Sequence, residues 1–200
     1  MKTLRDLGVY ILGGQIVQRV IADVERGDTI ADPQRKTVVA KTVSEGIIDD
    51  EGIVVNDYKT TFDDKKITRE GDIIVKLSAP YNAAIIDKDH EGMLVSSFCS
   101  IIRYLGDDEL DKWYLVAFLN SEIAQNQLKN RVVGSVMNVL SSGKLYDLEI
   151  PLPCMKKQQE IGSLFQKIVK NRSLIKQIMK LEDEKLYCMI ALAEAEDNGD

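Results

Sequence analysis

The side chains able to do covalent or metal chemistry are few in this 200-residue chain, and they are poorly spaced for it. The one histidine, His90, lies in the acidic run Asp87-Lys88-Asp89-His90-Glu91, which leaves a His-dependent triad or a His-bearing metal cluster little to build on. Cys99, Cys154 and Cys188 are odd in number and show no CxxC spacing, which speaks against a disulfide framework and against zinc. Asp49-Asp50-Glu51 sets three carboxylates side by side, where like charges repel and do not converge on a cation, so a solvated turn is expected. No Walker A loop or GxGxxG follows a strand-like run. The chain reads as non-catalytic, with no cofactor and no metal.

A second set of residues has the types that touch nucleic acid, and strands and turns must position them. Residues 73–78, IIVKLS, form the strongest strand pattern. Period two places Ile73, Val75 and Leu77 on one face and Ile74, Lys76 and Ser78 on the other, so Lys76 and Ser78 look out together. Ala79-Pro80-Tyr81-Asn82 turns the chain into a partner strand at 83–86, and the hairpin tip presents Tyr81 and Asn82, able to reach base edges or phosphates. A plainer alternative, which sequence alone favours, packs Tyr81 on Pro80 and uses Asn82 only for its tolerance of turn geometry. The net charge of −6 and pI near 5.0 count against DNA, whose binders displace counterions with a basic face. Any such face here must be local, or completed by a partner.

Around this hairpin the remaining elements are short. Gly13-Gly14 marks a tight turn or a close backbone approach. Arg19, Arg26, Arg35 and Lys36 fall in a segment broken by Gly27-Asp28 and Asp32-Pro33, expected as loops, with Arg35 a candidate DNA contact by its type and a strand expected at 38–43. Gly52 before Ile53-Val54-Val55 suggests a hairpin. Residues 93–104 should give one long or two short buried strands. Asp107 or Asp108 is expected to cap a helix running to about Lys129, with Trp113 anchoring it to the sheet.

At 145–161, LYDLEIPLPCMKKQQEI, two kinds of chain meet. Pro151 and Pro153 push Ile150 and Leu152 towards extended geometry, so a strand end passes into a helix start without slack. From Lys156 to about Leu192 the pattern is helical, a length on the order of 55 Å. Ile161, Leu164, Ile168, Ile175 and Ile178 recur at three- and four-residue steps and need a partner helix, with a phase drift at Leu181 or Glu182. Asn171 takes a position the heptad would make apolar; it either fixes register against its own copy or is simply solvated, and the second is favoured.

Ile150-Pro151-Leu152-Pro153 followed by Gln158-Gln159-Glu160-Ile161 resembles the end of a target recognition domain running into the spacer helix of type I restriction-modification specificity subunits. Thr3-Leu4-Arg5-Asp6-Leu7 with Gly13-Gly14, Glu70-Gly71-Asp72-Ile73-Ile74-Val75, and Trp113-Tyr114-Leu115 to Leu119-Asn120-Ser121 follow the family's order. Such subunits carry two recognition domains and two helices, so this chain reads as a half-length version. The resemblance implies an α+β fold: a mixed, sheet-rich DNA target recognition domain over 1–153, then a long coiled-coil-type dimerisation and spacer helix with an acidic tail over 154–200. It also makes the Gly-Ser segment 130–144 a plausible DNA-facing loop, with Arg131, Ser135 and Asn138 as contacts. Ser141-Ser142-Gly143 reads equally well as a helix cap and turn leading to Leu145.

The resemblance implies sequence recognition of double-stranded DNA within a methyltransferase/endonuclease complex, with methyl transfer and cleavage in partner subunits, a methyltransferase subunit and a restriction subunit where one is present. Ala79-Pro80-Tyr81 lacks the leading amide and second proline of the amino-methyltransferase pocket, in keeping with that division. A homodimer through the helix, with Ile161, Leu164, Ile168, Ile175 and Ile178 at its interface, would read a gapped palindrome. The rival is a dimeric adaptor that binds protein and not DNA, which the net acidity favours. MKTLRDLG has no apolar h-region and no apolar run approaches about eighteen residues, so neither signal peptide nor membrane span is expected, and a cytoplasmic location fits.

Overall fold

A computed structural model describes residues 1–104, 109–132 and 139–197, with side chains to 194. In chain order the described strands and α-helices are β1 (Lys2–Thr3), β2 (Tyr10–Gly13), β3 (Asp32–Val38), β4 (Val54–Tyr58), β5 (Ile73–Lys76), β6 (Ala83–Ile85), β7 (Leu94–Val95), β8 (Cys99–Arg103), α1 (Lys112–Leu119), α2 (Glu122–Val132), α3 (Ser142–Leu145), β9 (Glu149–Ile150) and α4 (Met155–Asp197). The chain divides into a unit Met1–Phe165 and a unit Gln166–Asp200. The first unit therefore runs past Pro153 and takes in the opening turns of α4. Mixed sheets followed by a long C-terminal helix make the α+β class expected from the sequence.

β5 sits inside the four-stranded sheet β2-β8-β5-β6, in which every neighbouring pair is antiparallel. On one face Ile73, Val75 and Leu77 join Leu115, Leu119 and Leu128 of α1 and α2 in the larger core. On the other, Ile74 joins Val38, Ile86, Val95 and Ile101. The expected alternation holds, but the second face is covered by the sheet β4-β3-β7 and Ile74 is fully buried. A strand buried on both sides must be apolar on both sides, and each such side chain contributes about 1.5–3 kcal/mol. β7 and β8 are the two short strands expected of 93–104.

Three sequence expectations need correcting. The strand placed at 38–43 begins and ends earlier, as β3, while Ala40–Thr42 makes a 3-10 turn in which the Thr42 hydroxyl and amide both donate to the Val39 carbonyl. A bulge between Asp32 and Arg35, with Gln34 at φ +48° and its amide donating to the Asp57 carboxylate, hides β3 behind a loop-like composition. The hairpin at Gly52 is a 3-10 turn, Asp50–Gly52, capped by Asp49. The single helix to Lys129 is two helices, and the N-cap of α1 is Asp111, whose carboxylate accepts from the Tyr114 amide at 2.7 Å; Asp107 and Asp108 lie outside the described residues.

The break between α1 and α2 has a physical purpose. β6 ends its sheet; Gly46 bridges its outer edge, donating to the Ala83 carbonyl and accepting from the Ile85 amide, and the side-chain amides of Asn120 and Gln125 hold its start and the turn before it. Asn120 accepts from the Ala83 amide at 3.0 Å and donates to its carbonyl at 2.8 Å, and Gln125 does the same for Tyr81 at 3.0 and 3.0 Å. At the opposite end of β5 a buried ion pair closes the sheet: Arg103 donates to Asp72 through Nε at 2.8 Å and Nη2 at 2.6 Å. Hydrogen bonding to Asp72 raises the Arg103 pKa above its ordinary value, outweighing burial, and the Asp72 and Asp64 charges act in the same direction.

A candidate nucleic-acid interface at one end of the sheet

The C-terminal ends of β2 and β5 and the N-terminal ends of β6 and β8 share one end of the four-stranded sheet, as the register Gly13↔Ser100, Lys76↔Cys99 and Val75↔Ala83 requires. Loops leaving this end are tied to one another through the backbone. Leu77 donates to the Phe98 carbonyl at 2.9 Å and accepts from the Leu140 amide at 2.8 Å; Ser97 donates to the Gln15 carbonyl at 2.7 Å. Gly14 is needed for this closeness, since a Cβ there would lie 2.0 Å from the Ser96 carbonyl oxygen. The Lys66 ammonium donates to the Gly13 and Gly14 carbonyls at 2.8 and 2.9 Å, and the Ser100 and Ser142 hydroxyls are 2.7 Å apart. Cationic and hydroxyl groups thus gather at a rigid rim on a chain that is acidic in total.

Lys76, Ser78 and Asn82 belong to this rim, all partly exposed. Tyr81 also lies there but is a correction: it is 4% exposed, its ring in the larger core, so it cannot present a side chain to DNA. The turn holds it inward because Gln125 fixes its backbone on both sides. Arg35 is elsewhere, on β3, with Nε on the Asp32 carboxylate at 2.9 Å and Nη1 on the Gly92 carbonyl at 2.7 Å. Arg131, near the end of α2, donates to the carbonyls of Gln127 at 3.1 Å and Asp147 at 2.5 Å, while its own carbonyl accepts from Lys144. Ser135 and Asn138 lie outside the described residues, although Leu140, just past them, is bonded to the rim at Leu77. Ser141 is the N-cap position of the short α3, as the cap-and-turn reading of that segment has it.

The joint at Pro151 and Pro153 is built from side chains. Tyr114 donates through its hydroxyl to the Pro151 carbonyl at 2.5 Å, and burial raises its pKa. Gln158, 2% exposed, donates to the carbonyls of Glu109 and Pro153 and accepts from the Asp111 amide. Gly162 lets this turn of α4 close on α1: a Cβ would fall 2.5 Å from Asp111 Oδ1 and 2.9 Å from the Tyr114 amide nitrogen. Trp113 packs here, its Cβ 3.0 Å from that position, and is only half-buried; Tyr114, Leu115 and Phe118 fill the core it was expected to anchor. The first strand closes on the joint as well, with Lys2 paired to Ile150, and Thr3 and Asp6 hydrogen-bond reciprocally.

A model of the type I restriction modification DNA specificity domain matches residues 21–182. The chain belongs to this family. A search of the curated proteins finds no match. Two solved structures share the fold of this chain. A chain from the study "Structural basis underlying complex assembly and conformational transition of the type I R-M system" is 18% identical with a TM-score of 0.57, over 94% of this chain and 49% of that one. The HsdS subunit from Thermoanaerobacter tengcongensis is 16% identical with a TM-score of 0.55, over 86% of this chain and 44% of that one. The chain thus spans about half the length of these two solved chains.

The family motifs quoted from the sequence now have physical content. Leu4 and Leu7 of the opening motif are buried, Asp72 carries the ion pair to Arg103, Asn120 covers the sheet edge and Gln158 holds the joint. Sequence reasoning missed Arg103, Gly162 and the roles of Gln125 and Gln158. A cation closing a β-branched apolar run was the one available signal for the first; nothing in one sequence marks the others. Of the residues expected at a helix interface, Ile161 is a correction, since it packs on the core of the first unit. Leu164, Ile168, Ile175 and Ile178 are exposed. Among the described residues no helix is long and apolar enough to cross a membrane, and no three His, Cys, Asp or Glu side chains form a metal set.

Proposed function

We infer that this chain selects DNA sequence for a type I restriction-modification complex and leaves methyl transfer and cleavage to partner subunits in the cytoplasm. Its match to the specificity-domain family over 21–182 carries this reading. Lys76, Ser78 and Asn82 at the sheet rim, with Arg35, Arg131, Ser135 and Asn138, are the proposed DNA contacts. The net charge of −6 fits binding shared with a methyltransferase subunit, which would supply further positive surface.

Two copies pairing through α4 would complete the arrangement. Support comes from an apolar series, Leu164, Ile168, Ile175, Ile178, Leu186 and Met189, exposed in the single chain. Paired copies would read identical half-sites in inverted orientation, separated by a spacer that helix length sets. The test is selection from a randomised duplex pool by the purified protein, with and without its methyltransferase subunit. A gapped palindrome is the expected product. Enrichment only with the methyltransferase would show shared binding; none in either condition, beside an active control specificity subunit, would leave the protein-binding adaptor.

A further inference from the structure

We propose that Phe98 contacts a DNA base directly and sets sequence preference at one position of each half-site. The inference rests on the DNA-reading function above. Phe98 is 49% exposed, whereas Phe62, Phe118 and Phe165 are partly or fully buried. An aromatic left in water forgoes the stabilisation that burial gives, and in Met1–Phe165 only Tyr10 among the described aromatics shares this exposure.

The backbone that carries the ring is fixed on every side. Cys99 donates to the Ser96 carbonyl at 2.9 Å and closes a tight turn; the Phe98 amide donates to Ser96 Oγ at 3.4 Å and its carbonyl accepts from Leu77 at 2.9 Å. Ser97, beside it, is tied to Gln15. A ring on so constrained a turn loses little entropy on docking.

Its setting decides the partner. Lys76 is paired across the strands with Cys99, Ser78 follows Leu77, and Lys66 sits on the Gly13 and Gly14 carbonyls. Cations and hydroxyls suit phosphates and base edges, and an exposed apolar ring at the same end of the sheet suits a thymine methyl group or the face of a base. The other two exposed aromatics lack this setting: Tyr10 pairs with Arg103 at the opposite end of β2, and Tyr187 lies on α4.

The test uses the complex of this chain with its methyltransferase subunit and the randomised pool. Phe98→Ala should lose the preference at one position of each half-site and bind the wild-type site roughly 5- to 100-fold more weakly. Binding to a scrambled duplex should change by less than about twofold, because non-specific affinity is held by phosphate contacts. Phe98→Leu should recover part of the preference, and thermal melting of both variants should match wild type. An unchanged selected site, an equal loss on selected and scrambled duplexes, or a loss of assembly with the methyltransferase subunit would each overturn the assignment. Failure of the wild-type complex to select any sequence would instead sink the DNA-reading function, and this inference with it.

Discussion

One helix, α4, has two fates along its length. In Met155–Phe165 the side chains that face protein are consumed: Gln158 makes three hydrogen bonds, Gly162 admits the backbone of α1, and Ile161 and Phe165 pack on the core. Val169 is the last buried side chain among the described residues; beyond it Ile175, Ile178, Leu181, Leu186, Met189 and Leu192 are each more than half exposed. The same secondary structure is therefore finished by its own chain in one stretch and left unfinished in the other. A helix of 43 residues is about 65 Å long, and what the second stretch leaves open along that length is its apolar side chains.

The largest expected effect breaks the unfinished half. Ile175→Asp with Ile178→Asp should weaken self-association by more than about a thousandfold, since each buried isoleucine is worth about 2 kcal/mol and each is lost from both copies. Sedimentation across a concentration series reads this out, while the melting of the first unit should not move. A wild-type chain that stays monomeric at high concentration would remove the pairing altogether. Asn171→Leu sharpens the same question: if Asn171 faces its copy, pairing should tighten and register loosen, whereas a solvated Asn171 predicts no change.

Next in size is the finished half. Arg103→Met leaves Asp72 buried and unpaired and should cost about 3–5 kcal/mol in urea unfolding. Adding Asp72→Asn, which keeps an acceptor for the Arg69 amide, should recover much of it. Smaller again is Gly162→Ala. In an open helix this exchange stabilises by about 1 kcal/mol; here the new Cβ meets Asp111 and the Tyr114 backbone, so a net loss of about 1–3 kcal/mol is expected. A stabilised variant would mean that α4 and α1 have room to spare.

Legibility in the sequence followed the same divide. Periodicity exposed β5, the β5–β6 hairpin and α4 to about Leu192, short of its end at Asp197, because each repeats one geometric rule over enough residues. β3 was hidden by a bulge that breaks alternation, and the α1–α2 break by Asn120 and Ser121, which look like ordinary helix polar positions until the edge of β6 is present to be covered. At the candidate site, Lys76 and Ser78 followed from alternation alone, whereas Tyr81 turned inward because Gln125, distant in sequence, holds its backbone. Phe98 carried no sequence signal, since an apolar residue in an apolar run is expected inside.

The three cysteines report on both halves at once, with the smallest perturbation. Burial pushes the Cys99 thiol up to about 12, with the Lys76 charge pulling the other way, so essentially no reactive thiolate is present near pH 8. Cys154 and Cys188 are exposed in the single chain. A thiol reagent should therefore titrate two groups in the native protein and a third only on unfolding. Fast labelling of Cys99 would mean that the packing under β8 opens. Cys188 shares one face of α4 with Leu181 and Leu192, seven residues before and four after it, so pairing through that side should slow its labelling as concentration rises, while Cys154 keeps its rate. Equal rates for the two at every concentration would place the partner on another face of the helix, because a covered stripe cannot leave the thiol among its own residues as accessible as one at the helix start.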